Sequence, residues 1–254
     1  MLAKIFINNI LPAFLVMGVG VLLDRKLHID KRSLSRMALY VLTPCLVFSS
    51  LVESTIAPGQ FGAMILFVIL VTVAMVVLAF LVGRWLRWSS GMVDALVLSV
   101  AFFNAGNFGL SVILFSFGEP GVALATIFFV ASNLACNTVA AFFAARSNGG
   151  VRKALLQVFK LPGMYAFGLA ILLRALGVTV PAVLFQPISL IGRAAVPVML
   201  MMLGLQLSQT HLGGRYGKVA VGVFLRLVVG AVVALLLSPL LGLQGLARSV
   251  AVVE

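Results

Sequence analysis

The sequence predicts an all-α polytopic membrane protein. Three observations carry that prediction. Hydrophobic residues make up 63% of the 254 positions and charged residues only 9%. The mean hydropathy is +1.22, and apolar stretches long enough to cross a bilayer recur along the chain. A water-soluble domain carries about 25% charged and about half apolar residues, so a chain this oily has too little polar surface to cover itself in water. The net charge of +12 does not redirect the reading towards nucleic acid. Its basic residues sit in short tracts between apolar runs, and no polar domain exists to carry a basic face.

A helix needs about 20 mostly apolar residues to cross the hydrocarbon core. Eight runs qualify: 5–23, 34–52, 61–83, 93–117, 120–145, 155–177, 181–207 and 217–238. A ninth starts near Leu240 and meets the chain end at Glu254. The first run, IFINNILPAFLVMGVGVLL, lacks an A-x-A-like cleavage site and continues into DRKLHIDKR, so it is read as a retained span.

Lys and Arg orient the bundle. Connections 1–2 (Arg25, Lys26, Lys31, Arg32, Arg36), 3–4 (Arg84, Arg87), 5–6 (Arg146, Arg152, Lys153, Lys160) and 7–8 (Arg215, Lys218) share one side. The opposite side has Lys4, Arg174 and Arg248. Short basic loops stay cytoplasmic, which predicts an inner (plasma) membrane protein with its N-terminus outside. Arg193 and Arg226 are left at membrane depth, where charge points to function by default. The alternative for each is a position nearer an interface, with the side chain snorkelling out.

Cys45 and Cys136 lie inside apolar runs, apart from any His or second Cys, so no metal or disulfide framework is expected. The spans offer no nucleophile with its base and no paired acids, so no enzyme activity and no cofactor are expected. No Walker-type loop is present, which removes ATP as the direct driver.

The fourth run is anomalous. FFNAGNFGLSVILF (102–115) places Asn104, Gly106, Asn107 and Gly109 in an otherwise apolar segment. The two glycines would let the helix unwind, and Asn side chains offer donors and acceptors to the freed backbone. Irregular backbone at this depth is tolerated where protein or a water-filled cavity surrounds it. An unwound stretch also presents a helix N-terminus, a partial positive charge suited to a carboxylate. Asn133 and Asn137, one turn apart on the fifth run, either line the same cavity or tie that helix to a neighbour. Pro44 and Pro197 are read as helix-kink positions.

The halves resemble each other. LPAFLVMGVGVLL (11–23) lies over LPGMYAFGLAILL (161–173), Pro44 over Pro197, and Gly91 over Gly245, at a near-constant offset. This predicts a first repeat over 1–147 and an incomplete second over 153–254. Five spans per repeat is an odd number, so the second copy inserts upside down, as in many secondary transporters. The counterpart of Asn104 would fall just past Glu254. The expectation is therefore an inverted five-plus-five bundle of which about eight and a half spans are present, truncated at the C-terminus.

At NAGNFG (104–109) and FGEPGVALA (117–125), together with LPAFLVMGVGVLLDRK (11–26) and LSRMALYVLTPCLVFSSL (34–51), the chain resembles the auxin efflux carrier family, bacterial type. The resemblance runs in family order from about residue 5 to the end. It implies ten spans with the fourth and ninth broken and crossing at the site. Spans 1, 2, 6 and 7 would form a scaffold, and spans 3–5 with 8 onward a transport domain. The implied cargo is a small organic acid anion, such as auxin or a dicarboxylate. Asn104, Gly106, Asn107, Gly109, Asn133 and Asn137 are the substrate-binding candidates, and Arg193 and Arg226 the intramembrane charges. The expected partners are that anion, the lipid bilayer and, as an open alternative to a monomer, a second copy in a homodimer. The leading expectation is a secondary carrier working by alternating access. A sodium-coupled bile-acid-type carrier and a non-functional remnant are the alternatives.

Overall fold

The computed structural model describes residues 6–27, 29–102, 104–146, 161–210 and 216–254, with side chains through 139 in the third of these stretches. Lys4, Arg152, Lys153, Lys160, Arg215 and the start of the predicted sixth span lie outside them. All regular structure among the described residues is helical. Among the described residues, six segments are long and apolar enough to cross a membrane: Phe6–Leu27, Lys31–Val52, Pro58–Trp85, Ser90–Val139, Ala182–Leu207 and Tyr216–Leu240. The protein is a multi-pass membrane protein.

We number the helices α1 (Phe6–Leu27), α2 (Lys31–Val52), α3 (Pro58–Trp85), α4 (Ser90–Ala101), α5 (Leu110–Arg146), α6 (Pro162–Ala175), α7 (Ala182–Arg193), α8 (Ala195–Leu207), α9 (Tyr216–Leu240) and α10 (Gly245–Val253). The predicted fourth and fifth runs fall together in the 50-residue segment Ser90–Val139. Gly118 (φ 66°, ψ −163°) breaks α5 between them, in a region of backbone space that glycine alone occupies at no steric cost. The chain doubles back there. A Cβ built on Gly121 would lie 2.9 Å from Ile113 Cγ2, whereas residues eight apart in a straight helix are separated by about 12 Å. α6 has 14 described residues, about 21 Å of helix against a core of about 30 Å.

Contacts divide the chain into two units. The first comprises Met1–Thr55, Asn104–Thr126 and Phe159–His211, and the second Ile56–Phe103, Ile127–Val158 and Leu212–Glu254.

In the first unit, α1 buries Ala13, Met17 and Gly20. The spacing of four and three places them on one helical stripe. That stripe meets α8, where Met199, Leu200 and Gly204 are buried. Gly20 and Gly204 face backbone: a Cβ on either would fall on the carbonyl oxygen of Met201 or Met17 respectively. Small residues that let backbones approach are the usual way membrane helices gain packing energy, since lipid is as apolar as Leu. α2 packs on α6 and α7, with Gly192 seated on the Cys45 backbone.

Polar contacts fasten both ends of this unit. At one end Asp24 accepts hydrogen bonds from the Ser208 hydroxyl and the Gln209 amide and faces Lys31 Nζ at 3.6 Å. Lys31 also donates to the Leu205 carbonyl at 2.6 Å. At the other end Arg174 donates to Ser54 Oγ at 2.8 Å, joining α6 to α2.

Asp30 caps α2. Its carboxylate accepts from the Ser33 hydroxyl (2.5 Å) and from the N–H groups of Arg32 and Ser33. The Ser33 hydroxyl first, and then the Arg32 amide, hold its carboxyl below the ordinary range. A lowered folded-state pKa means the cap is intact above the ordinary carboxylate pKa and is lost as pH falls through the lowered one. Protection of the Arg32 and Ser33 amides, taken as exchange relative to the intrinsic rate at each pH, should therefore be high at neutral pH and fall in strong acid. Asp30→Ala should lack that protection at every pH, and Asp30→Ser should restore it without the acid step.

The second unit packs α3 against α4, α9 and α10. Met64, Phe67, Val68, Val71, Met75 and Ala79 are buried along α3. Phe67 meets Phe128 at a ring separation of 6.4 Å, and Met75 reaches the backbone of Gly230.

Candidate functional site

α4 stops at Ala101, and Phe102 is extended (φ −100°, ψ 114°). Asn104 (φ −88°, ψ 49°) then opens a wide turn over Ala105–Gly109 with π-helical bonding, from which α5 continues at Leu110. The break thus lies at Phe102–Asn104, ahead of the two glycines expected to unwind. Neither Gly106 nor Gly109 is among the glycines with positive φ. Ala105 and Gly106 are buried, and the turn rests on α8.

Asn104 caps the turn. Its side-chain oxygen accepts the Asn107 N–H at 3.3 Å. Its own carbonyl accepts the N–H groups of Phe108 (3.1 Å) and Gly109 (3.2 Å). Asn107 in turn offers its carbonyl to the Ser111 hydroxyl at 3.2 Å. Phe108 anchors the turn on the α1–α8 cluster of Ala13, Met17 and Leu200 and meets Phe14 edge-on at 6.2 Å. Asn104 is exposed and Asn107 half-buried. The result is a rigidly seated helix start in an apolar segment, with first-turn N–H groups beyond the reach of intrahelical acceptors and two carboxamides beside them. Dipoles in this arrangement favour nearby negative charge.

The other candidates are distributed as follows. Asn133 Nδ2 donates to the Phe129 carbonyl (2.9 Å) and Asn137 Nδ2 to the Asn133 carbonyl (2.7 Å). Each uses an amide donor on its own helix four residues back, a pattern of local side-chain bonding. This pair belongs to the second unit, whereas Asn104 and Asn107 belong to the first. Pro44 follows a π turn at Ala38–Leu42. Proline leaves the carbonyl four residues earlier without its donor, and here that carbonyl, Tyr40, lies within the widened turn. Pro197 stands in the same relation to Arg193, and the chain bends there between α7 and α8.

Arg193 is exposed at that bend. Arg226 lies on a π turn at Leu225–Val229 in α9 and is half-buried. Its guanidinium donates to the Val100 carbonyl and to the main-chain oxygen of Glu254, both at 3.3 Å. Val100 is one residue from the end of α4, so Arg226 caps the negative end of the half-helix that precedes the break. The sequence marked Arg226 as a charge at depth, yet its partner lies 126 residues away and carries no sequence signal of its own. Thr126, passed over in the sequence, is buried with a hydroxyl lacking a hydrogen-bond partner, as is Ser132. A lone Thr in an apolar run offers no cue. Among the described residues no group of three His, Cys, Asp or Glu is placed to hold a metal.

A family profile described as membrane transport protein matches residues 5–254, nearly the whole chain. The chain belongs to this family, that of the auxin efflux carriers. It is similar to an uncharacterized transporter of Methanocaldococcus jannaschii, 25% identical over 229 residues that cover 87% of this chain and 74% of that one. It is also similar to an uncharacterized transporter of Methanothermobacter thermautotrophicus, 24% identical over 246 residues covering 96% and 80%. The family and both relatives' names indicate transport.

Proposed function

We propose that this transporter is a secondary carrier that exports or exchanges small organic acid anions by alternating access. The observation that carries the reading is the break at Phe102–Asn104, which presents a capped helix start and two carboxamides inside a membrane span. A helix start stabilises a carboxylate by about 0.3–1 kcal/mol at an exposed site and up to about 2 when partly buried. That is strong enough to select an anion and weak enough to release it. The potential supplies a driving force: about 100 mV, inside negative, is worth about 2.3 kcal/mol per charge, or roughly fifty-fold accumulation outside for a monoanion. In this reading the protein sits in the inner membrane with its N-terminus outside. Its halves form an inverted repeat, and scaffold and transport helices move against each other. The division of contacts into two units supports two bodies able to move.

The test is flux of radiolabelled mono- and dicarboxylates in proteoliposomes. Asn104→Ala and Asn107→Ala should insert normally and lose transport by about tenfold or more, the equivalent of one hydrogen bond to a charged group. Asn104→Ser retains a capping oxygen and separates the two roles: it should hold the fold of the parent yet transport as poorly as Asn104→Ala. Parental flux in both alanine variants would remove the site assignment.

A further inference from the structure

The second unit carries a groove that the transport reading does not use. It lies between α4 and the first turns of α9, with a volume of about 450 Å³, within the range of small-molecule sites. Ala95, Leu96, Gly222 and Val223 give it apolar walls. Gly222 keeps the slot open, since a Cβ there would already stand 3.6 Å from Leu96 Cδ1. One end is formed by Trp88 and Lys218, with Lys218 Nζ 5.9 Å from the indole centroid. Both residues are at helix starts, whereas Arg226 and Ser99, at the other end, lie about two to three turns further along their helices. The groove therefore runs from a membrane boundary inward.

That boundary is basic and aromatic. Arg84, in the last turn of α3, and Arg87, in the connection that leads to Trp88, are exposed beside a largely exposed Trp85. Arg87 takes a left-handed conformation (φ 55°) normally left to glycine, and the turn it closes is fixed by the Trp88 N–H donating to the Gly83 carbonyl at 3.1 Å. Trp and basic side chains at the end of a span are the pattern that meets lipid headgroups. An apolar slot leading away from them suits an acyl chain. We propose that this groove binds one anionic phospholipid, its phosphate at Lys218 and the arginine-bearing connection and an acyl chain between α4 and α9. A neutral zwitterionic lipid would fill the slot equally well but gain nothing from the cations.

The two tryptophans of the chain provide the test. Trp85→Phe leaves Trp88 as the single fluorophore, in vesicles holding a small fraction of lipid with brominated, quenching acyl chains. Brominated phosphatidylglycerol should quench Trp88 as though enriched about fivefold over brominated phosphatidylcholine, the preference expected for one basic side chain at a headgroup. Lys218→Glu should abolish the preference and Lys218→Arg retain it. Gly222→Leu should reduce quenching by both lipids, and it carries the test alone should Lys218→Glu not fold. Equal quenching by the two lipids, or a preference that survives Lys218→Glu, overturns the proposal. So does relief of quenching by millimolar inorganic phosphate or a soluble carboxylate, which would make the groove a site for free anions.

Discussion

Gly204→Ala is expected to prevent α1 and α8 from docking. The two helices cross where Gly20 and Gly204 let each backbone rest on the other. An added methyl at Gly204 would overlap the Met17 carbonyl oxygen, stand 2.9 Å from the carbonyl carbon and reach 3.1 Å from the Gly20 Cα. Every atom it meets is backbone, so no rotamer change relieves the overlap and the helices must separate. Separation opens gaps along the contact that holds Ala13, Met17, Leu200 and Phe108, and it unseats the turn carrying Asn104 and Asn107. Overpacking typically costs about 1–3 kcal/mol and more where nothing can give. We expect about 3 kcal/mol or more here, against the gain of roughly 1 kcal/mol that Gly→Ala brings through helix propensity. Gly18→Ala is the control, because a Cβ at Gly18 meets nothing within 4 Å and only the propensity gain remains. Thermal unfolding in detergent should therefore move in opposite directions for Gly204→Ala and Gly18→Ala. A Gly204→Ala protein as stable as the parent would mean that the helices do not approach this closely.

Those glycines also mark what a sequence can and cannot convey. In the alignment of 11–23 with 161–173, Gly18 falls on Gly168, and a Cβ at either meets nothing within 4 Å. The pair that packs, Gly20 with Gly204, had no sequence mark, because which glycine faces a neighbour depends on a crossing between segments 184 positions apart. Composition was enough for the membrane class, since hydropathy is a local, additive quantity. The interruption of the fourth run was legible for the same reason: amides and glycines are out of place in lipid wherever they occur. Its location was displaced, because glycine's permissiveness suggests unwinding at Gly106 and Gly109, whereas neither takes a positive φ and the backbone leaves the helix at Phe102 and Asn104. Among the described residues, seven of the eight predicted runs fall in six segments long enough to cross, while the start of the sixth run lies outside those residues. Two of those runs share one segment divided at Gly118, where the sequence reading ends one run at 117 and begins the next at 120, at Gly118-Glu119-Pro120.

Arg226→Met should separate insertion from assembly. An arginine at the centre of a span costs about 2.5–3.5 kcal/mol to insert, so the methionine variant should enter the membrane at least as readily as the parent. Once inserted, that cost is common to the associated and dissociated helices, and what remains is what the guanidinium does for its neighbours. The last four carbonyls of any helix lack intrahelical donors, and Arg226 donates to one of them, Val100, at the negative end of α4. Removing the donor strands a carbonyl at apolar depth, at about 1–3 kcal/mol. It also removes a cation from the helix terminus, worth up to about 2 kcal/mol more in a partly buried setting. We expect a net loss of about 3 kcal/mol in resistance to thermal unfolding, with expression maintained or improved. Arg226→Lys preserves the charge but not the paired donors that reach Val100 and the Glu254 main chain together, and should recover roughly half. If Arg226 instead only snorkelled to an interface, methionine would lose nothing on heating and lysine would equal arginine. The order Arg, Lys, Met in unfolding temperature, set against rising insertion, is therefore the result that assigns Arg226 to the end of the broken span.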